Sequence, residues 1–194
     1  MNRPTAPDHV DDVPRTREAL MDEVIAKQEI RDLVLLYGMA CDRDDAELLR
    51  QVYLPDGRDN RGEPNGLASE YIEAMSRLRA GSIMVAHQLT NHLIWVDGDV
   101  AEGEVRNVSH TVHTTDTGYA YRIMGGRYLD EYRRDGSGRW RIADRAAVVD
   151  WADGWPIDEA GARPRYGTTL SGADDETDPV YRVLSRARRG RAAW

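Results

Sequence analysis

Apolar residues recur at helical spacing in the first quarter of the chain. Between Ala19 and Asp42 there is no proline and one glycine, and the apolar positions follow a period of three to four residues. Thr16, just before this run, is a favourable N-cap. Residues 33–37 are apolar on every side. The pattern therefore predicts a long helix that the rest of the fold covers completely.

Two shorter helices are predicted to follow. The first runs over Ala46–Tyr53 and ends before Pro55, and the second runs over Leu67–Arg79 and ends before Gly81. Residues 56–66 between them are polar and glycine-rich, which predicts a loop with room for one short strand.

After Gly81 the period of the pattern changes from about 3.6 residues to 2. The alternation predicts four long strands joined by tight turns, Ile83–Val96, Val100–Thr114, Tyr119–Arg134 and Trp140–Trp151. Strands much longer than the usual ~5–6 residues indicate a strongly curved sheet. We therefore predict an α+β fold, a cone-shaped half-open barrel in which a curved antiparallel sheet wraps around the N-terminal helices.

The two ends of the chain differ in composition from its middle. Residues 1–17 are polar and rich in proline, which predicts a mobile N-terminal arm. Residues 18–155 carry the α+β domain, and residues 156–194 are read as a C-terminal extension. This extension has an acidic run followed by arginines, which favours a short terminal helix packed on an acidic surface.

Composition excludes several classes of function. The 34 acidic and 26 basic side chains give a net charge of −8, which disfavours a nucleic-acid partner. One cysteine, Cys41, excludes an internal disulfide or a multi-cysteine metal site. No apolar run approaches the ~20 residues of a bilayer span, and the first residues lack the apolar core of a signal peptide. We therefore expect no membrane partner and a cytoplasmic location.

Strand alternation predicts which face of a strand each histidine occupies. It predicts that His87 and Asn91 share a face with Trp95, while His92 points to the opposite side. The same alternation separates His110 from its nearest histidine neighbour. Because no three metal ligands cluster, we expect neither a metal nor another cofactor.

The remaining candidate chemistry is one histidine and a polar cluster. His87 lies on an apolar strand face, and Tyr37, Asp42, Asp44 and Asp45 lie at the end of the first helix. A carboxylate beside an imidazole fixes its tautomer and stabilises the imidazolium that forms when the ring takes a proton. On an ideal helix Asp44 lies closer than Asp42 to the direction of Tyr37, so spacing alone leaves either acid open as the partner of His87.

The pattern resembles the SnoaL-like branch of the nuclear transport factor 2-like superfamily. The resemblance covers residues 20–155. It rests on the motif Tyr37-x4-Asp42-Arg43-x-Asp45, on His87-x3-Asn91-His92, and on the hairpin sequence of residues 126–134 and 138–142. Scytalone dehydratase, lindane dehydrochlorinase and bile acid 7α-dehydratase are cofactor-free lyases of this kind.

For this chain the resemblance implies a catalytic set. It favours Asp42 over Asp44 as the partner of His87, assigns Tyr37 as a catalytic tyrosine, and places His110 near a second active-site histidine. The implied function is a metal-free lyase that eliminates water or a halide, or cleaves a carbon–carbon bond by a retro-aldol step. In this scheme His87 is the base, and Tyr37 or His110 supplies a proton.

An aromatic-rich, apolar pocket is expected to bind an aromatic or polycyclic small molecule. Its predicted lining residues are Tyr53, Asn91, Trp95, Tyr121, Met124, Tyr128 and Trp151. Two alternatives remain, a non-catalytic ligand-binding or assembly subunit and an isomerase or cyclase in which an aspartate is the base. Apolar residues on the outer sheet face predict a homo-oligomer, for which the lyase relatives imply a trimer and the isomerases a dimer.

Overall fold

The computed structural model describes residues 16–62, 65–163, 169–184, 186–187 and 189–190, without the side chains of residues 76 and 78. Except for Thr16 and Arg17, the predicted N-terminal arm lies outside these residues. Five helices are described, α1 Arg17–Asp42, α2 Ala46–Val52, α3 Ala68–Leu78, α4 Glu159–Ala162 and α5 Pro179–Val183. The six strands are β1 Tyr53–Asn60, β2 Asn65–Leu67, β3 Ser82–Asp97, β4 Val100–Thr115, β5 Gly118–Arg134 and β6 Trp140–Ile157.

Helix α1 begins and ends where the sequence predicts. The Thr16 hydroxyl accepts a hydrogen bond from the Ala19 amide (3.1 Å), which caps the first turn. Ile30, Leu33 and Val34 are buried in the core. Complete coverage was a wrong prediction, because Leu35 is 57% exposed. The sheet wraps one side of the helix only, so the opposite side stays open.

The strands form one curved sheet in the order β2-β1-β6-β5-β4-β3. The antiparallel meander of β3, β4, β5 and β6 confirms the prediction. Strands β1 and β2 extend it, and β1 runs parallel to β6, a pairing that the alternation did not reveal. The sheet does not close on itself, so the fold is the predicted α+β half-open barrel.

Helix α1 packs against the inner face of the sheet through a close approach at Gly38. A Cβ at Gly38 would lie 3.0 Å from Leu89 Cδ1 and 3.9 Å from His87 Cβ. His87 pairs with Ser109, and Ser109 pairs with Met124. Residues that pair across neighbouring strands share a face, so His87 and Met124 lie on the inner face that α1 covers.

Bulges interrupt the alternation in β3 and β6. The register shifts between Leu89 and His92 in β3, and between Ile142 and Asp144 in β6. A bulge places two residues opposite one, so side chains beyond it change face relative to strict alternation. Among the helices described, none has the length and apolar character needed to cross a membrane.

Candidate active site

The end of α1 places a carboxylate against an imidazole on β3. Asp42 Oδ1 lies 2.6 Å from His87 Nδ1, and Asp42 Oδ2 accepts a hydrogen bond from the His87 backbone amide at 3.2 Å. The two side chains are 22% and 13% exposed, respectively. A carboxylate facing Nδ1 keeps the proton of the neutral ring on that atom. The lone pair is then on Nε2, which has no hydrogen-bond partner among the described residues.

Asp42, and not Asp44, makes this contact. Asp42 is the last residue of α1, so its side chain projects towards β3 from the final helical turn. Asp44 follows in the connecting turn with a left-handed φ of 48°. Asp45 is buried and caps α2 through the Leu48 amide (3.0 Å). The three neighbouring acids therefore differ in their backbone positions and in the groups they contact.

Tyr37 is buried one and a half turns before Asp42. Its hydroxyl accepts a hydrogen bond from Arg61 Nη2 at 2.5 Å. Burial raises the pKa of Tyr37 well above its usual value, although the Arg61 charge acts in the opposite direction. The phenol therefore stays protonated at neutral pH and can donate a proton or a hydrogen bond, but it cannot act as a base.

Tyr37 belongs to a cluster that we call the tyrosine chamber. Its ring makes edge contacts with Tyr53 and Tyr128, at centroid distances of 6.2 and 5.6 Å. The chamber also contains two cations, because the Arg145 guanidinium lies 4.0 Å from the Tyr37 ring centroid and the Arg61 guanidinium lies 4.1 Å from that of Tyr71. Guanidinium planes stack favourably on aromatic faces.

Each cation of the chamber has a carboxylate partner. Arg145 Nε and Nη2 donate to the two oxygens of Asp130 at 2.7 Å each, and both side chains are fully buried. Arg61 pairs with Asp59 at 2.7 Å. Arg145 Nη1 is buried without a hydrogen-bond partner in the described part of the chain. This part of the interior is therefore both aromatic and ionic.

The sequence interpretation missed all four of these ionic residues. Strict alternation from Trp140 would put residue 144, and not Arg145, on the inner face. The bulge between Ile142 and Asp144 reverses this order and turns Arg145 inwards, opposite Asp130. Arg61 lies in the connection predicted as a loop. The available signal for Asp130 and Arg145 was their opposite charge on the two strands of the predicted β5–β6 hairpin.

His110 is not brought to His87. His87 pairs with Ser109, so the next residue of β4 points to the outer face. His110 Nδ1 there lies 2.5 Å from the Tyr121 hydroxyl, and the Tyr121 ring is 4.8 Å from that of Trp155. The resemblance implied a place for His110 in the site, and Tyr121 was a predicted lining residue, but strand geometry separates both from the Asp42–His87 contact.

Three other predicted lining residues also lie on the outer side of the sheet. The bulge after Leu89 turns His92 and Ile94 inwards, so Asn91 and Trp95 face outwards, and Trp95 is 60% exposed. Trp151 is also exposed and lies over Gly125 of β5. The prediction that His92 faces away from His87 was therefore wrong, because a regular strand was assumed.

The inner face keeps the remaining three predicted lining residues. Met124 lies in the same cross-strand row as His87 and Ser109. Tyr53 and Tyr128 are buried in the tyrosine chamber, where Tyr53 donates a hydrogen bond to Asp59 at 2.6 Å. Among the described residues, no group of three histidine, cysteine, aspartate or glutamate side chains could hold a metal ion.

A cavity of about 680 Å³ adjoins Asp42, the partner of His87. This volume is typical of sites for small organic ligands. Asp42 and Arg43 form one side of it, residues 83–86 of β3 form a second, and the C-terminal region forms the third through Ala162, Arg163, residues 169–174 and Asp178.

Comparisons with known proteins agree with this architecture. The model of the SnoaL-like domain family matches residues 22–146. A search of the curated proteins finds no match. Among solved structures, a type 2 hexachlorocyclohexane dehydrochlorinase is 16% identical, with 75% of this chain and 99% of that chain covered and a TM-score of 0.65.

Two further structures show the same fold. A scytalone dehydratase-like protein from Novosphingobium aromaticivorans is 15% identical over 76% of this chain and 99% of its own, with a TM-score of 0.62. A nuclear transport factor 2-like superfamily protein from Salmonella enterica is 17% identical over 76% and 99%, with a TM-score of 0.59. At such low identities the structural likeness establishes the fold, and the match over residues 22–146 shows that this chain belongs to the SnoaL-like domain family.

Proposed function

We propose that the protein is a cofactor-independent lyase in which Asp42 and His87 form the acid–base pair. The observation that carries the proposal is the 2.6 Å contact between Asp42 Oδ1 and His87 Nδ1. A neutral imidazole oriented in this way is a suitable general base near pH 7. Two structural neighbours, the dehydrochlorinase and the scytalone dehydratase-like protein, are named for elimination reactions.

The proposed reaction is an elimination. His87 Nε2 takes a proton from a substrate carbon, the electron pair of that C–H bond forms a carbon–carbon double bond, and the leaving group departs from the adjacent carbon with its bonding pair. Asp42 stabilises the imidazolium that results. The same base can begin a retro-aldol cleavage by removing a hydroxyl proton. The oxygen then forms a carbonyl group, the carbon–carbon bonding pair leaves with the other fragment as an enolate, and the imidazolium returns its proton to that fragment.

Tyr37 is the proposed proton donor. Its burial and its raised pKa keep the phenol protonated, and Arg61 and Arg145 hold positive charge beside the ring. A hydroxide leaving group needs a proton, whereas a halide does not. Return of the imidazolium proton to the Tyr37 phenolate restores both groups after a dehydration.

The proposed substrate is a ring-bearing small molecule with a polar substituent. Met124 and Tyr128 offer apolar and aromatic surface on the inner face, and the tyrosine chamber adds hydrogen-bond donors deeper in the fold. Cations beside aromatic rings favour a substrate that develops negative charge on oxygen or on a halogen in the transition state.

A probe screen tests the proposal. We would incubate the purified protein with γ-hexachlorocyclohexane and with cyclic β-hydroxy ketones, and follow chloride release or the absorbance of the conjugated product. We expect turnover of at least one probe, and His87→Gln should lower its rate about 10²–10⁴-fold with little change in the melting temperature.

The alternatives predict different outcomes. A non-catalytic binding module binds probes without elimination, and His87→Gln leaves that binding intact. An isomerase or cyclase with an aspartate base converts probes without loss of a leaving group. Either result would contradict the lyase proposal.

A further inference from the structure

The connection that carries Asp42 is crowded with negative charge. The last carbonyl groups of a helix have no partners within it and carry a partial negative charge. Asp42 ends α1, and the connection to α2 adds the carboxylates of Asp44 and Asp45. This turn, residues 41–45, needs positively charged hydrogen-bond donors to keep a fixed shape.

Arg79, just after α3, supplies the first donors. Its guanidinium donates to the carbonyl oxygen of Cys41 and to that of Asp42, the latter at 3.4 Å. It also bonds Asp174 of the C-terminal region at 3.3 Å, and the Arg79 side chain is largely buried. Arg79 therefore joins the end of α1 to the C-terminal region.

The C-terminal region supplies the second set of donors. Arg189 Nη1 and Nη2 donate to the carbonyl oxygens of Arg43 and Asp44 at 3.0 and 2.9 Å. The Gly190 amide donates to Asp45 Oδ2 at 2.7 Å. These contacts hold the turn where Asp44 adopts its left-handed φ of 48°.

A partly buried ion pair also joins the turn to the C-terminal region. Arg43 Nε lies 3.2 Å from Asp178 Oδ1. The Asp178 carboxylate also accepts hydrogen bonds from the amides of Ala173 (3.0 Å) and Val180 (2.9 Å). The turn is therefore held between α3 and two points of a segment that follows the family match of residues 22–146.

We propose that Arg79 and Arg189 are positioning residues, which fix the turn so that the Asp42 carboxylate stays on His87. Their role as aids to catalysis rests on the proposed lyase function, but the contact they maintain exists independently of it. The C-terminal region then has a defined task in this chain, which is to hold one member of the acid–base pair.

Amide hydrogen exchange at His87 tests this proposal without a substrate. The His87 amide donates to Asp42 Oδ2, so its protection reports how firmly the carboxylate is held. We would measure residue-resolved exchange by NMR in the full chain. Arg79→Ala and Arg189→Ala should each speed exchange at His87 at least tenfold, and so should Asp42→Ala, while the Tyr128 amide in the core stays protected.

Matched variants separate positioning from general stability. Arg182→Ala removes an exposed arginine of α5 in the same region and should leave His87 exchange unchanged, and Arg79→Lys should restore part of the protection. Unchanged His87 exchange in both alanine variants would overturn the proposal, as would an equal rise at His87 and Tyr128. If exchange responds as expected but no probe is eliminated, the positioning role stands and the lyase function fails.

Discussion

The ion pair between Arg145 and Asp130 is the most completely buried one among the described residues. Both side chains have no exposure, and two hydrogen bonds of 2.7 Å join them. Burying two ions is costly, and three contacts offset that cost: their mutual attraction, the stacking of Arg145 on Tyr37 and Tyr128, and the hydrogen bond of 2.7 Å that the Tyr132 hydroxyl donates to Asp130. Removing one partner should therefore matter more than the pair itself contributes.

We predict that Asp130→Asn destabilises the fold strongly. The variant leaves the Arg145 charge buried without a counter-ion, which typically costs about 3–5 kcal/mol. Urea denaturation gives the free energy of unfolding. Glu131→Gln is the matched control, because that side chain is exposed on the other face. A loss below about 1 kcal/mol, against the range quoted above, would show that Arg145 finds another partner.

His92 should make stability depend on pH. Burial lowers the pKa of His92 from 6.5 to about 4. The positive charges of Arg31 and Arg145 also lower this pKa, whereas the Asp130 carboxylate raises it. Between pH 6.5 and 4 the unfolded chain binds a proton at His92 that the folded chain does not. The contribution to stability is complete above pH 6.5 and is lost as the pH falls towards 4.

Denaturation across this pH range measures the effect. His92→Gln should flatten the fall in unfolding free energy between pH 6.5 and 4, and His113→Gln should leave it in place. An identical pH slope for wild type and His92→Gln would show that other groups cause the dependence.

At the scale of elements, boundaries could be predicted but strand faces could not. The change of period after Gly81 and the tight turns located β3, β4, β5 and β6 to within a few residues, except at the end of β6. The pattern of apolar residues does not reveal a bulge, because a bulge depends on how a strand pairs with its neighbour. For that reason Asn91 and Trp95 were expected inside and Arg145 was not.

The register of β5 against β6 also shifts between Gly125 and Gly126, where the two strands pack closely. A Cβ on Gly126 would lie 2.0 Å from the Val148 carbonyl oxygen, which is backbone and cannot rotate away. Gly126→Ala should therefore destabilise the β5–β6 pair by about 1–3 kcal/mol. Gly136→Ala in the β5–β6 turn is the control, since nothing lies within 4 Å of its Cβ position. Equal melting temperatures for the two variants would contradict the packing argument.

At the scale of the molecule, the fold class could be predicted from the order of the elements, because helices come first and a long antiparallel meander follows them. The contact between Asp42 and His87 was also expected, because the resemblance supplied an offset that helix geometry alone left open. The contacts of Arg189 with the turn at residues 41–45 were not, since they join residues more than 140 positions apart. The homo-oligomer, with a trimer favoured, stays a prediction, and exposed Leu93, Trp95 and Trp151 are consistent with it.

The central claim is that Asp42 and His87 work as one unit. The most direct measurement is a double-mutant cycle of kcat/KM on an eliminated probe, with Asp42→Asn, His87→Gln and the double variant, and with Asp44→Asn as control. We predict a large loss for His87→Gln, a smaller loss for Asp42→Asn, no further loss in the double variant, and little change for Asp44→Asn, because residues that act together lose activity non-additively. Additive losses, or a His87→Gln variant as active as the wild type, would contradict the account.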